Sequence, residues 1–214
     1  MPTGFMGWGF AKVKVMRHGQ GSNTLVILVH EIYGLNSHIR QAAEELKNCG
    51  LDVLAPNLLQ RAEPFSYGEA AAAYEHFNRQ VGFAQAAEAI QALAAQERPN
   101  YRRIVLLGYS VGATVAWLCS SRGQWDGVIG CYGSRIRDYQ ALQPACPVRL
   151  FFAANEPSFS VTPLATLLGE KDGVQVEVLA AQHGFMDPFG KAYEPLAAAK
   201  VEKKIHEFIG HESK

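Results

Sequence analysis

The sequence has no surplus of either charge: lysine and arginine together number 20, and so do aspartate and glutamate. Without net charge there is no whole-molecule field to gather a polyanion, and no basic run marks a lipid surface. Nucleic acid and membranes are therefore not expected as partners. Cysteine is scarce. Cys49, Cys119, Cys131 and Cys146 show neither C-x-x-C spacing nor the density of a disulfide scaffold, so reduced thiols and a cytoplasmic location are expected. Cys119 and Cys131 lie in apolar stretches and are expected to fill core space. No uncharged apolar run is long enough to span a bilayer. The first residues lack the basic flank, long apolar stretch and small-residue cleavage site of a signal peptide. Repeats, low-complexity tracts and linkers are absent too, so residues 1–214 are expected to form one domain, long enough to bury a real core.

What is present is an alternation of short β-like runs and helical stretches, the pattern of an α/β fold. Strands are expected over 25–30, 52–55, 103–107, 128–131, 148–153 and 174–179, with an edge strand at 12–16. Helices are expected over 37–49, 69–96, 111–122, 163–168 and 193–209. Ser66 with Glu69 three residues later fits a capping box. Thr162 before Pro163 fits an N-cap followed by proline at the first helical position. Gly82 is placed to break the long middle helix. The architecture that follows is a three-layer α/β/α sandwich with a mostly parallel central sheet.

The strongest chemical signal is an apolar strand running into Gly108-Tyr109-Ser110-Val111-Gly112 and then into a helix. A nucleophile elbow needs this order. The chain turns sharply, the serine takes a strained conformation, and glycines on either side avoid side-chain collisions. The helix N-terminus favours developing negative charge, and the Val111 amide would form one side of an oxyanion hole. The alternative is a glycine-rich turn of the kind found in any α/β protein. Its position between strand and helix favours Ser110 as a nucleophile.

A serine hydroxyl needs a general base. In an α/β-hydrolase the chain order is nucleophile, acid, histidine. His183 follows the last expected strand, at the sheet end where ligands of open α/β sheets bind. The other histidines lack that placement, and most are expected to be surface or structural groups. Glu156 follows the preceding strand and is expected to orient the imidazole without taking its proton. Asp126, Asp138 and Asp172 fit turns or surface positions better.

With these three positions placed, the sequence resembles the dienelactone hydrolase family over almost its whole length and implies its α/β-hydrolase fold. The match rests on His30-Glu31-Ile32-Tyr33-Gly34-Leu35-Asn36, then Asp52-Val53-Leu54-Ala55-Pro56-Asn57-Leu58, Tyr132-Gly133 and His183-Gly184-Phe185. The resemblance implies that Glu31 partners the nucleophile and that the Ile32 amide completes the oxyanion hole. Tyr33, Tyr109 and Phe185, beside these positions, are expected to contact substrate. H-E-x-x-H would need a histidine where Gly34 stands, and neither metal nor cofactor is expected.

Three departures from the family matter. Ser110 stands where the family usually has cysteine, either as a natural serine branch or as a replacement. A hydroxyl does not ionise as a thiol does, so Glu31 is expected to accept a hydrogen bond from the resting Ser110 and hold it away from His183. Glu156 stands in place of the family's common aspartate and would need a retracted backbone. Members acting on dienelactone hold its carboxylate with arginines, one of them soon after the histidine. Here Met186-Asp187-Pro188 follows, so neutral substrates are expected, with Arg79 the cation to consider otherwise.

The expected activity is hydrolysis of small carboxylic esters or lactones through an acyl-enzyme, by a monomer or homodimer. The alternatives are a thioesterase or small peptidase with the same triad, and a non-catalytic binding protein on a hydrolase scaffold.

Overall fold

The computed structural model describes residues 15–19, 21–122 and 124–210. Seven strands form one sheet in the order β1-β3-β2-β4-β5-β6-β7. They are β1 (Val15–His18), β2 (Thr24–Val29), β3 (Asp52–Pro56), β4 (Arg103–Tyr109), β5 (Gly127–Cys131), β6 (Val148–Asn155) and β7 (Val174–Gln182). Only β1 runs antiparallel, against β3. The edge strand expected at 12–16 begins, among the described residues, at Val15 and extends to His18; positions 12–14 lie outside them.

The inner strands β2 to β5 are buried along nearly their whole length, as parallel strands covered on both faces must be. Alternate side chains feed two separate cores. Leu25, Ile27 and Val29 point to one, with Leu106, Val115 and Ile90; Val26 and Leu28 point to the other, with Leu107, Ile39 and Val201. The first core lies under α2 (Ala70–His76), α3 (Phe83–Glu97), α4 (Val111–Cys119) and α5 (Val161–Gly169). The second lies under α1 (Ser37–Asn48) and α6 (Pro195–Gly210). This is the three-layer sandwich.

The helix expected over 69–96 is broken at Gly82, the glycine placed to break it; its φ of 72° ends a π-turn (Phe77–Val81) before α3 begins. A left-handed residue cannot continue a right-handed helix. The capping box of Ser66 and Glu69 is present at the start of the short 3₁₀ turn before α2. Helix α5, in contrast, has Ser160 and not Thr162 at its N-cap position, without a side-chain cap bond: Val161 is the first helical residue and Pro163 lies at the third, still within the turn whose amides need no intrahelical acceptor. Cys119 and Cys131 are buried, Cys49 is exposed, and all four cysteines are free. Among the described residues no helix is long and apolar enough to cross a membrane.

Candidate active site

Strand β4 ends at Tyr109 and α4 begins at Val111, so Ser110 is the whole turn between them. Its φ of 53° costs a non-glycine residue about 1–3 kcal/mol. Three backbone hydrogen bonds hold it: Ser110 N–H donates to Cys131 O at 2.9 Å, and Ser110 O accepts from Ala113 and Thr114 at 3.1 and 3.2 Å. The flanking glycines are required by close backbone approach. A Cβ on Gly108 would lie 2.2 Å from Gly112 O, and a Cβ on Gly112 would lie 2.4 Å from Val29 O. The G-x-S-x-G spacing therefore packs the start of α4 against the ends of both β4 and β2.

His183 comes from the loop after β7, and Glu156 from the end of β6. Between Ala153 and Asn155 the register of this strand pair shifts, β7 carrying one more residue than β6. A bulge of this kind re-aims the residues that follow it. His183 Nε2 lies 2.9 Å from Ser110 Oγ, and His183 Nδ1 lies 2.7 Å from Glu156 Oε1. A carboxylate can only accept, so Nδ1 carries the proton and Nε2 is free to accept from the serine hydroxyl. The Glu156 side chain is 2% exposed while that of His183 is 32% exposed. The ring of Tyr132, itself at φ 44°, meets the imidazole edge-on at 5.1 Å.

Glu31 does not hold the serine at rest. Ser110 Oγ faces His183, and no hydrogen bond joins it to Glu31 among the described residues. Glu31 instead faces a histidine grouped above with the surface or structural ones: His38 Nδ1 stands 3.8 Å from Glu31 Oε2 and 3.9 Å from Asp187 Oδ2, all three residues being buried. At those lengths the contacts are ion pairs, not hydrogen bonds. Burial alone would raise the Glu31 pKa, but the close approach of the His38 N–H and the charge of that ring, with smaller help from Tyr132 and His183, take it below the ordinary value. Burial likewise pulls the His38 pKa down, and the two carboxylates more than reverse it, leaving it raised. Asp187 accepts from Tyr67 Oη at 2.6 Å and from Phe189 N–H at 2.9 Å. His38 shares the buried face of α1 with Ile39, Ala43 and Leu46, a spacing that could have marked it as an interior histidine.

Glu31, His38 and Asp187 offer ligand atoms within 4.8 Å of one another. Tetrahedral zinc with bonds of about 2.0–2.2 Å needs its ligand atoms roughly 3.3–3.6 Å apart. The separations of 3.8 and 3.9 Å are wider, and Tyr67 already occupies Asp187 Oδ2. As it stands, the trio fits an imidazolium between two carboxylates better than a metal centre.

A pocket of about 420 Å³ opens above Ser110 and His183, lined by Ile32, Tyr33, Tyr67, Phe189 and Lys191 as well as the acidic pair. Tyr33 thus reaches the pocket, but two other expected substrate contacts do not. Tyr109 is buried and points to the opposite face of the sheet, into a separate cavity of about 150 Å³ beside α1 and α6, because the side chain one residue before the turn still follows strand alternation. Phe185 is fully buried, its ring against Tyr132 at 5.4 Å. Arg79 lies on an exposed helical face beside Glu75 and does not line the pocket; among the described residues the lining cation is Lys191. The amides of Ile32 and Val111 donate to no acceptor among the described residues.

A model of the dienelactone hydrolase family matches residues 13–213. The chain is 45% identical over 166 residues to the uncharacterized protein YczH of Bacillus subtilis, covering 77% of this chain and 81% of that one. It is 24% identical over 200 residues to a carboxymethylenebutenolidase of Pseudomonas putida, covering 86% and 84%. Among solved structures, a dienelactone hydrolase-like promiscuous phosphotriesterase from metagenomic libraries shares the fold with a TM-score of 0.70 at 19% identity, over 89% of this chain and 87% of that one.

Proposed function

As the chain belongs to the dienelactone hydrolase family, we propose that it hydrolyses small carboxylic esters or lactones, with Ser110 as nucleophile, His183 as general base and Glu156 as the acid that orients it. The observation that carries this reading is the continuous line of contacts from Ser110 Oγ to His183 Nε2 at 2.9 Å and from His183 Nδ1 to Glu156 at 2.7 Å. Ser110 Oγ attacks the substrate carbonyl while its proton passes to Nε2, and Glu156 stabilises the imidazolium that forms. The carbonyl oxygen becomes an oxyanion, for which the unengaged amides of Ile32 and Val111 are the donors. The imidazolium then protonates the leaving alkoxide, or the ring oxygen of a lactone. Water, deprotonated by the same nitrogen, attacks the acyl carbon, and the proton passes from Nε2 to the departing Ser110 Oγ as the acid is released. Glu31 adds a fixed negative charge near the imidazolium and touches no reacting atom.

Turnover of a panel of short acyl esters and lactones, run beside Ser110→Ala and fluorophosphonate labelling, tests the reading. Hydrolysis lost in Ser110→Ala together with labelling at Ser110 is expected. Full activity in Ser110→Ala, or labelling only elsewhere, overturns it.

A further inference from the structure

His30, the residue after β2, is wholly buried and does not line the substrate pocket, yet both its ring nitrogens are engaged by backbone. Leu58 N–H donates to Nε2 at 3.0 Å, so Nε2 bears no proton. Burial keeps the ring neutral, its pKa lowered to about 4. A neutral imidazole with a bare Nε2 carries its hydrogen on Nδ1, and Nδ1 stands 2.6 Å from Glu31 O. The tautomer is thus set by Leu58, and the ring donates to the carbonyl of the Glu31–Ile32 peptide. Gly34 N–H reaches the same carbonyl at 3.3 Å.

In a trans peptide the C=O and N–H bonds point in opposite directions. Holding the Glu31 carbonyl against His30 therefore turns the Ile32 N–H away from the ring, and Ile32 lines the pocket that contains Ser110. The anchor is itself fixed, because the His30 backbone carbonyl lies 2.7 Å from where a Cβ on Gly112 would stand, in contact with the helix that carries Val111. We propose that His30 is a positioning residue of the oxyanion hole, clamping the Glu31–Ile32 peptide to the Leu58 loop so that the Ile32 amide is aimed at the developing oxyanion. The inference rests on the reading of Ile32 N–H as an oxyanion donor.

The test uses three variants of the full chain on one neutral short-chain nitrophenyl ester. His30→Leu removes both hydrogen bonds. His30→Gln keeps one donor and one acceptor. Ile32→Pro deletes the amide itself at the second position of the turn spanning 31–34, where proline is well tolerated. Loss of one oxyanion donor lowers kcat by about 10²–10³. That fall is expected in His30→Leu and in Ile32→Pro, with KM within about threefold of the wild type. His30→Gln is expected to return kcat to within about tenfold of the parent. Near-parental kcat in Ile32→Pro overturns the oxyanion assignment itself. A severe Ile32→Pro loss with near-parental His30→Leu overturns the positioning role alone, as does a His30→Gln variant no faster than His30→Leu. Should His30→Leu fail to fold, ¹⁵N spectra of the intact protein decide together with His30→Gln: an Nδ1–H tautomer and a recovered kcat support the clamp, and an Nε2–H tautomer overturns it.

Discussion

Ser110 and Tyr132 follow the ends of the adjacent strands β4 and β5, and both are held at positive φ, 53° and 44°. Two neighbouring non-glycine residues in that region concentrate backbone strain at the place where the serine meets His183. The strain at Ser110 presents the hydroxyl, and that at Tyr132 brings its ring edge-on to the imidazole at 5.1 Å. The Tyr132 hydroxyl is buried beside the Glu31 carboxylate without a hydrogen bond of ordinary geometry. Tyr132→Phe keeps the ring and removes only that poorly bonded polar atom, so thermal unfolding should show a Tm unchanged or raised, and kcat should stay within about threefold. A marked loss of Tm would mean that the hydroxyl is satisfied in solution.

Glu156→Gln should lower kcat steeply at little change in KM, since an amide in place of the acceptor of His183 Nδ1–H favours the wrong tautomer. In a template triad that change costs about four orders of magnitude. Steady-state kinetics on one neutral ester measure it. A variant with parental turnover would move the acid role to another residue.

Gly112→Ala should destabilise the fold before it affects chemistry. Its Cβ would stand 2.4 Å from Val29 O and 2.7 Å from His30 O, both rigid backbone atoms. Overpacking of this kind costs about 1–3 kcal/mol or more, read as a lowered midpoint in urea unfolding. An unchanged midpoint would show that α4 can move away from β2 at no cost.

His38 gives stability a pH dependence whose sign can be stated. Its folded-state pKa is raised, so its contribution is fully present below the unfolded value of about 6.5 and is lost as pH rises through the folded value. His38→Gln should accordingly be less stable than the parent at pH 6, by about 3 kcal/mol if it leaves two buried carboxylates uncompensated. The gap should narrow towards pH 9. Urea titrations across that range check it, and a gap that widens with pH contradicts the ion-pair reading.

Neutral substrates should outrun carboxylated analogues, because Glu31 and Asp187 both line the pocket whereas Lys191 is its one lining cation among the described residues. Comparing kcat/KM for a neutral lactone and its carboxylated analogue at low salt tests the preference, and Asp187→Asn should narrow the difference. A clear preference for the anion would show that Lys191 dominates the pocket field.

The sequence by itself determined the parts whose causes are local. Apolar runs set the strand positions, glycine spacing around Ser110 set the elbow, and chain order after successive strands pointed to Glu156 and His183; the fold brings His183 against Ser110 and Glu156 against His183. Each depends on a few consecutive residues and on where a parallel strand must end. The tertiary structure alone decided what surrounds Glu31. His38 arrives on α1, Tyr67 on the turn before α2 and Asp187 on the loop after β7, and no local pattern couples residues so far apart. It also decided against Tyr109 and Phe185, which are next to or near the catalytic positions in sequence but point away from the pocket. Alternation along a strand and the sharp turn at Ser110 send neighbouring side chains to different faces of the sheet, so closeness in sequence does not become closeness in space.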